Sequence, residues 1–199
     1  MSKCRPVMLV VLGALLPFAG VPAFAAPRPA RVLFPLLERA PGEYVALAGD
    51  LALVLGRGGF DAWMHDGRDD GECSRLRFVF PSSVPPRPDV DAAPAELVRI
   101  GTSIDALRGF ARVRYRDVEP GIDVVVRADG EGIAYDVEAA PGVDAARFTF
   151  RVEGAIASRI RDDGALELDT PTGRLVHRAP CTFTKSDPPR ALRSRFVDH

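Results

Sequence analysis

The chain of 199 residues contains no asparagine and no glutamine. Without asparagine there is no acceptor for N-linked glycans, and without either amide no side-chain amide can contribute to an oxyanion hole. Lysine is nearly absent as well, because Lys3 and Lys185 are the only two in the chain. These absences exclude two kinds of site and leave arginine as the main cationic residue.

Histidine is also scarce, with only His65, His177 and His199. His65 ends a predicted strand and His177 lies within one, where a solvent-facing imidazole is the plainer interpretation. No Gly-x-Ser-x-Gly elbow is present, and no spacing of Cys or His resembles a zinc site. A Ser-His-Asp site can occur in any chain order, but the sequence favours no catalytic residue, no metal site and no cofactor.

Long helices are not expected, because no long window shows a 3.6-residue apolar period. Short apolar or alternating runs recur instead, separated by Gly, Pro and Asp. Arg75–Phe80 and Arg147–Val152 alternate between polar and apolar residues, which is the period of a half-buried strand. We therefore predict a single all-β domain over residues 26–199, an antiparallel β-sandwich-like arrangement of many short strands.

Residues 1–25 have the pattern of a secretory signal peptide. Lys3 and Arg5 form its charged part, and Val7–Phe18 forms its apolar part. Ala23-Phe24-Ala25 is a small-residue cleavage site. Proline and glycine interrupt the apolar part, whereas a membrane span needs about 20 unbroken apolar residues. Cys4 precedes the apolar part, which argues against a lipid anchor.

The mature chain is expected outside the cytoplasm. Removing Lys3 and Arg5 leaves 24 basic and 27 acidic residues, a net charge of −3. This balance argues against nucleic acid as a partner, since nucleic acid binding favours a basic surface. No later stretch is apolar enough to span a membrane. We predict a secreted, periplasmic or cell-surface protein whose partner is an unknown protein or polysaccharide.

The most distinctive part of the sequence is Tyr115–Asp144, hereafter the signature segment. Pro120-Gly121 and Pro141-Gly142 flank its two strand patterns, and each pair predicts a turn because proline fixes φ and glycine supplies a positive φ. Ala128–Glu131 places Asp-Gly between alternating apolar runs, which predicts a hairpin. The segment therefore predicts the order turn, strand, hairpin, strand, turn.

The signature segment also supports a family resemblance. The residues that carry it are Tyr115, Asp117, Val118, Pro120, Gly121, Ile122, Asp123, Tyr135, Asp136, Pro141, Gly142 and Asp144. With them the chain resembles the N-terminal domain of unknown function in large secreted bacterial proteins that carry SBBP-type β-propeller repeats. The resemblance implies an exported β domain and carries no assigned activity.

Three departures qualify the resemblance. The Gly-Asn-Asp and the Trp that usually precede the Tyr strand of the family are replaced here by Gly101–Ser103 and Leu107. The opening Glu-Asn-x-Gly-Gln segment of the family is replaced here by Arg28–Leu33, and the chain contains no propeller repeats. The chain is therefore either a stand-alone member or part of a longer protein.

Three groups of residues are candidates for binding or catalysis. Asp66–Glu72 is an acidic cluster with oxygen ligands of the kind that Ca²⁺ prefers, but Arg68 interrupts it and the spacing of a calcium loop is missing. Asp123 and Asp136 are conceivable as the carboxylate pair of a glycoside hydrolase, although hydrogen bonds to nearby turns explain both more economically. Trp63 is the best candidate for a stacking residue.

We predict an exported, non-catalytic structural or interaction module. The alternatives are a carbohydrate-binding module and a carboxylate-based glycoside hydrolase. Tyr115 and Tyr135 are expected at the edge of the core with hydrogen-bonded hydroxyls. Asp117, Asp123 and Asp136 are expected to accept backbone hydrogen bonds beside the Pro-Gly turns.

A disulfide between Cys73 and Cys181 is a further prediction. These two cysteines remain once the leader and Cys4 are removed, and exported compartments are oxidising. Both open predicted strands, so their sulfurs can meet if those strands are neighbours. The alternative, two separate thiols that behave as small apolar side chains, stays open.

Overall fold

The structure, a computed structural model, describes residues 9–17, 36–65, 72–82, 84–90, 96–99, 106–129, 132–185 and 188–197. Within these ranges the chain is all-β, with eighteen strands and one turn of 3-10 helix at Ala145–Arg147. The first nine strands are β1 Leu9–Pro17, β2 Leu36–Ala40, β3 Glu43–Ala48, β4 Leu51–Gly56, β5 Gly59–His65, β6 Cys73–Val79, β7 Pro88–Asp89, β8 Glu96–Arg99 and β9 Ala106–Phe110. The other nine are β10 Arg112–Glu119, β11 Ile122–Asp129, β12 Gly132–Ala139, β13 Arg151–Glu153, β14 Ala157–Ile160, β15 Leu166–Thr170, β16 Gly173–His177, β17 Cys181–Thr184 and β18 Ala191–Leu192.

The described strands form two antiparallel sheets, which confirms the predicted fold class. The first sheet has ten strands in the order β14-β15-β16-β1-β12-β11-β10-β7, with β17 paired to β1 and β18 paired to β17. The second sheet has eight strands in the order β13-β6-β5-β4-β3-β2-β9-β8.

The core lies between the two sheets, because side chains of both contribute to one buried apolar cluster. Phe60 of β5 lies with its ring centroid 6.0 Å from that of Tyr135 on β12. Phe80, which follows β6, lies 5.0 Å from Tyr115 of β10 in an edge-to-face arrangement. Such aromatic pairs add to the free energy gained from burial alone.

Hydrogen bonds at one end of the molecule also join the sheets. Thr172, in the turn between β15 and β16, donates its amide to the Ser74 hydroxyl at 3.1 Å. Its own hydroxyl donates to the Met64 carbonyl oxygen at 3.3 Å. A turn of the first sheet is thereby tied to two strands of the second.

The Pro-Gly turns of the signature segment form as predicted. Glu119 pairs with Ile122 across the first turn, where Gly121 has φ of 76°. In the second turn Val143 donates its amide to the Ala140 carbonyl oxygen at 3.1 Å. Both turns require a backbone conformation that glycine adopts without strain.

The hairpin between these turns is also confirmed. β11 and β12 pair continuously from Ile122 opposite Ala139 to Asp129 opposite Gly132. Residues 130–131 at the tip lie outside the described residues. Residues 66–71 of the acidic cluster Asp66–Glu72, which was considered for Ca²⁺, and the C-terminal His199 lie outside them as well.

The strand predicted over Arg147–Val152 is shorter than expected. Its first part is a 3-10 turn that Asp144 caps, since the Asp144 carboxylate accepts from the Ala146 amide at 3.0 Å. Only Arg151–Glu153 pairs with β6. The alternation of this segment instead turns Phe148 and Phe150 toward the core, where they are partly buried.

The predicted Cys73–Cys181 disulfide is not formed, and both cysteines are free and exposed. Cys73 opens β6 of the second sheet, where it lies opposite His65. Cys181 opens β17 of the first sheet, where it lies opposite Leu12. The prediction required neighbouring strands, and the two cysteines instead belong to different sheets.

Part of the predicted signal peptide has a defined place in the first sheet. β1, Leu9–Pro17, lies between β12 on one side and β16 and β17 on the other. Among the described residues, no helix has the length and apolarity needed to cross a membrane.

Candidate functional site

An exposed apolar row crosses the outer face of the second sheet. Leu47 of β3 lies opposite Ala52 of β4, Ala52 lies opposite Trp63 of β5, and Trp63 lies opposite Arg75 of β6. Directly opposite residues of antiparallel strands share a face of the sheet. We call these four residues the Trp63 row. Leu47 is 47% exposed and Trp63 is 39% exposed, although both are large apolar side chains.

Charged residues surround the end of the Trp63 row that contains the indole ring. The Arg75 guanidinium lies 5.5 Å from the centroid of the Trp63 ring, within the range of a cation–π contact. Arg75 also donates to the Asp61 carboxylate at 2.8 Å, and Arg77 lies 3.9 Å from the other oxygen of that carboxylate. Asp61 therefore holds Arg75 beside the indole. The row thus combines an apolar centre, one aromatic ring and an oriented cation.

A second candidate centres on a buried pair of residues in the first sheet. The Tyr135 hydroxyl lies 2.7 Å from Nε2 of His177, and Nδ1 of His177 lies 2.9 Å from the Arg178 carbonyl oxygen. A carbonyl oxygen can only accept, so Nδ1 carries the proton and Tyr135 donates to Nε2. This arrangement defines a neutral imidazole with both nitrogens bonded.

Burial keeps this pair uncharged. His177 is 1% exposed, and burial lowers its pKa from 6.5 to about 4. Burial likewise raises the pKa of Tyr135 well above its ordinary value. The sequence interpretation of His177 as solvent-facing is therefore wrong, because strand β16 turns this side chain toward the core. The hydrogen-bonded hydroxyl predicted for Tyr135 is confirmed.

The pair borders a cavity of about 1160 Å³ between the first sheet and the segments that follow residues 144 and 192. Apolar side chains supply much of the wall, among them Phe148, Phe150 and Leu168. Phe196 lies edge-on against His177 with a ring-centroid distance of 4.7 Å. The imidazole is thus bonded at both nitrogens and packed against a phenyl ring, which suits a structural role better than proton transfer.

Tyr115 joins the signature segment to the second sheet. Its side chain is fully buried, and its hydroxyl lies 2.6 Å from the Gly59 carbonyl oxygen and 3.0 Å from that of Gly56. Burial raises the pKa of Tyr115 well above its ordinary value. The predicted hydrogen-bonded hydroxyl is present, but the side chain lies deep in the core rather than at its edge.

Asp117 and Asp123 make the backbone hydrogen bonds that were predicted for them. The Asp123 carboxylate accepts from the Asp117 amide at 2.9 Å, and the Asp117 carboxylate accepts from the Gly121 amide at 3.2 Å. Asp117 has φ of 47° and lies where the β10–β11 register shifts. A left-handed conformation costs free energy outside glycine, so these two bonds hold a strained residue beside the turn.

Asp136 differs from the prediction, because its contact is an ion pair. Its Oδ2 accepts from Arg127 Nε at 3.1 Å, while its Oδ1 is buried without a hydrogen-bond partner among the described residues. Asp123 is likewise paired, at 3.0 Å from Arg114. Arg114 also lies 2.7 Å from Glu138. The two carboxylates considered for glycoside hydrolysis are therefore each held by an arginine on a neighbouring strand.

One of three comparisons with known proteins matches part of the chain. Residues 101–197 match the family described as "Domain of unknown function (DUF7948)". The comparison with curated proteins and the comparison with solved structures gave no match. The family match contains the whole signature segment and supports its interpretation as a domain of unknown function. The Trp63 row lies outside the matched residues.

Sequence reasoning selected Trp63 and missed the other members of its row. Leu47 and Ala52 belong to ordinary strand patterns, and only the register of two strand pairs, β3–β4 and β4–β5, places them in one row with the indole. The alternation of β3 indicated that Val45 and Leu47 share one face of that strand. Sequence alone cannot tell which face of a two-sided apolar strand lies outward.

Proposed function

We propose that the chain is an exported, non-catalytic interaction module that contacts a partner through the Trp63 row. The observation that supports the proposal is the exposure of Leu47 and Trp63 in one row of a sheet face, with Ala52 between them. Aromatic residues and arginine are enriched at the centres of protein interfaces, and truncation of such residues is often costly. Arg75, already oriented by Asp61, adds a cation at the end of the row.

The signature residues support the non-catalytic part of the proposal. Tyr115, Asp117 and Asp123 bond to backbone groups of the fold itself, and Tyr135 bonds to a buried imidazole. A residue that serves catalysis must reach a reacting group, whereas these side chains are bonded to groups of the fold itself. These contacts support a scaffold role for the signature residues, and the exposed Trp63 row on the other sheet offers a surface to a partner.

A photocrosslinker placed in the exported protein tests this surface. A benzophenone amino acid at Leu47 is expected to give one discrete protein adduct in cells that express the chain. The matched control is the same group at Val84, which is 71% exposed and lies in the segment after β6. Equal labelling at both positions, or none at Leu47, would contradict a contact through the Trp63 row.

A polysaccharide partner is the second candidate, and the arrangement of Trp63, Arg75 and Asp61 favours it. Stacking on an indole with charged hydrogen-bonding groups beside it suits a sugar ring. Trp63 is the only tryptophan in the chain, so its fluorescence reports directly on this position. A saturable change in Trp63 emission with soluble surface polysaccharide, together with no protein adduct at Leu47, would indicate a carbohydrate partner and not a protein.

Export and genomic context are separate parts of the proposal. The signal-peptide pattern of residues 1–25 predicts that the exported protein begins at Ala26, which N-terminal sequencing of the secreted or periplasmic protein tests. The resemblance of the signature segment implies a place in proteins with SBBP-type repeats. In-frame repeats downstream of this reading frame would make the chain an assembly module of such a protein.

A further inference from the structure

The central strand of the first sheet comes from the predicted leader. Leu9–Leu15 pairs antiparallel with Ala139–Ile133 of β12. On its other edge, Leu15–Pro17 pairs with β16 and Leu9–Leu12 pairs with β17. β1 therefore completes the backbone hydrogen bonding of three neighbouring strands.

Removal of β1 would leave a slot one strand wide. The other edge of β12 is occupied by β11, that of β16 by β15, and that of β17 by β18. The two free edges would face each other at about twice the usual strand spacing, roughly 9–10 Å. Unpaired backbone groups of such edges strongly favour pairing with another strand.

Side-chain contacts cross this slot on both faces of the sheet. Tyr135 on β12 bonds to His177 on β16 at 2.7 Å. On the opposite face, Glu138 of β12 lies 3.4 Å from the ammonium group of Lys185, the residue after β17. These two bridges join the flanking strands to each other without β1, so they can hold the slot at its width.

We propose that the exported chain, once its leader is removed, receives an extended apolar segment of a partner protein in this slot, antiparallel to β12. The inference rests on the export part of the proposed function. Hydrolysis of the Ala25–Ala26 peptide bond by the cell's signal peptidase, with one water consumed, separates β1 from the domain. Addition of a strand to a sheet edge is an established mode of peptide recognition.

The register defines which segment fits. Gly13 lies opposite Tyr135, and directly opposite residues share a face. A larger residue at that position would share its face with the Tyr135–His177 hydrogen bond, so glycine is preferred there. Leu12 lies opposite Asp136, whose Oδ1 lacks a hydrogen-bond partner among the described residues. A partner strand with a hydroxyl at that position can donate to this oxygen, which the leader cannot.

A full-length chain with a site-specific protease sequence inserted after Ala25 tests the slot without any need for export. The chain is folded with its leader attached, cut, and titrated with a fluorescent peptide of the sequence Leu9–Pro17 carrying a solubilising lysine tail. We expect saturable binding to the cut protein, at least tenfold tighter than to the uncut protein. The unlabelled peptide should compete.

Peptide variants separate strand pairing from simple apolar adhesion. Methylation of the backbone amides that face β12 should weaken binding at least tenfold, and so should Gly13→Val in the peptide. Leu12→Thr should bind at least as well as the parent sequence. Equal binding of the methylated peptide, or equal binding to cut and uncut protein, would overturn the proposal.

The occupant is tested on the exported protein. If residues 26–35 fill the slot and the cut chain therefore does not bind the peptide, the proposal is overturned. An exported dimer that the leader peptide dissociates would also overturn it, because a second copy would then occupy the slot. An exported protein that still begins at Met1 would contradict removal of the leader, on which the proposal rests, whereas the cut protein reports on the slot independently. Peptide binding by the cut chain together with an exported protein that begins at Ala26 supports the assignment.

Discussion

In the signature segment the polar side chains bond to other groups of the fold, whereas in the Trp63 row apolar side chains lie on the surface. Tyr115 reaches across the core to the second sheet, and Asp117 and Asp123 hold the turn beside it. Leu47 and Trp63 contribute large exposed side chains to a sheet face that the family match does not include. These signature residues therefore stabilise the fold, and the exposed Trp63 row lies on the other sheet.

The largest expected effect comes from Gly59, one acceptor of the Tyr115 hydroxyl. A Cβ added there would lie 1.9 Å from the Phe78 carbonyl oxygen, and φ at this residue is 152°. Gly59→Ala should lower the free energy of unfolding by more than about 4 kcal/mol, because the backbone itself must move. Soluble yield and urea unfolding followed by circular dichroism provide the measurement.

Gly49→Ala is the matched control for that substitution. Gly49 also has a positive φ, 59°, but an added Cβ would meet no atom within 4 Å. Its cost should be about 1–2 kcal/mol, that of the left-handed conformation alone. Equal losses at Gly49 and Gly59 would show that the close approach of β5 and β6 is not a constraint.

The buried imidazole of His177 should make stability depend on pH. Its pKa is lowered by burial to about 4 from 6.5, so the unfolded chain binds a proton that the folded chain does not. Stability should therefore fall as the pH is lowered from 6.5 toward 4, by roughly 3 kcal/mol in total. Urea unfolding between pH 7 and pH 5 isolates the effect from most carboxylates.

His65→Ala serves as the control for the pH dependence, since His65 is exposed at the end of β5. This variant should retain the full pH dependence. A flat stability profile between pH 7 and pH 5 in the unaltered chain would contradict the buried, neutral state of His177.

The link between the signature segment and the second sheet should be measurable at Tyr115. Tyr115→Phe removes the hydroxyl that lies 2.6 Å from the Gly59 carbonyl oxygen and leaves that oxygen buried. The expected loss of unfolding free energy is about 1–3 kcal/mol. Urea unfolding should show the loss without a change in the secondary structure content. An unchanged urea midpoint would show that the Tyr115 hydroxyl does not contribute to the stability of the core.

Leu47→Thr should have the smallest effect on stability. Leu47 is 47% exposed on a β-strand. Threonine is β-branched, and β-branched residues are favoured in strands. The change in unfolding free energy should stay below about 1 kcal/mol, whereas partner binding should weaken measurably. A large loss of stability would show that this face supports the fold rather than a contact.

Local chemistry explains what the sequence predicted well. The turns at Pro120-Gly121 and Pro141-Gly142 follow from the conformations that these residues favour. The bonds of Asp117 and Asp123 join groups only a few residues apart in the chain. Such features need no knowledge of sheet order, and the structure contains all of them.

Long-range pairing explains what the sequence did not predict. Asp136 pairs with Arg127 because the β11–β12 register brings them together, and His177 is buried because β16 joins the first sheet. Cys73 and Cys181 open strands as predicted, but only the sheet order shows that they lie in different sheets. The Trp63 row likewise depends on the register of successive hairpins.

The central claim is that the signature residues support the fold and the Trp63 row contacts a partner. The most direct test of this claim compares photocrosslinking at Leu47 in two variants. Asp123→Ala removes the carboxylate that bonds to the Asp117 amide and to Arg114, and Trp63→Ser removes the aromatic centre of the row. We expect the adduct at Leu47 to persist in folded Asp123→Ala and to fall at least tenfold in Trp63→Ser. An adduct lost in Asp123→Ala and retained in Trp63→Ser would contradict the account.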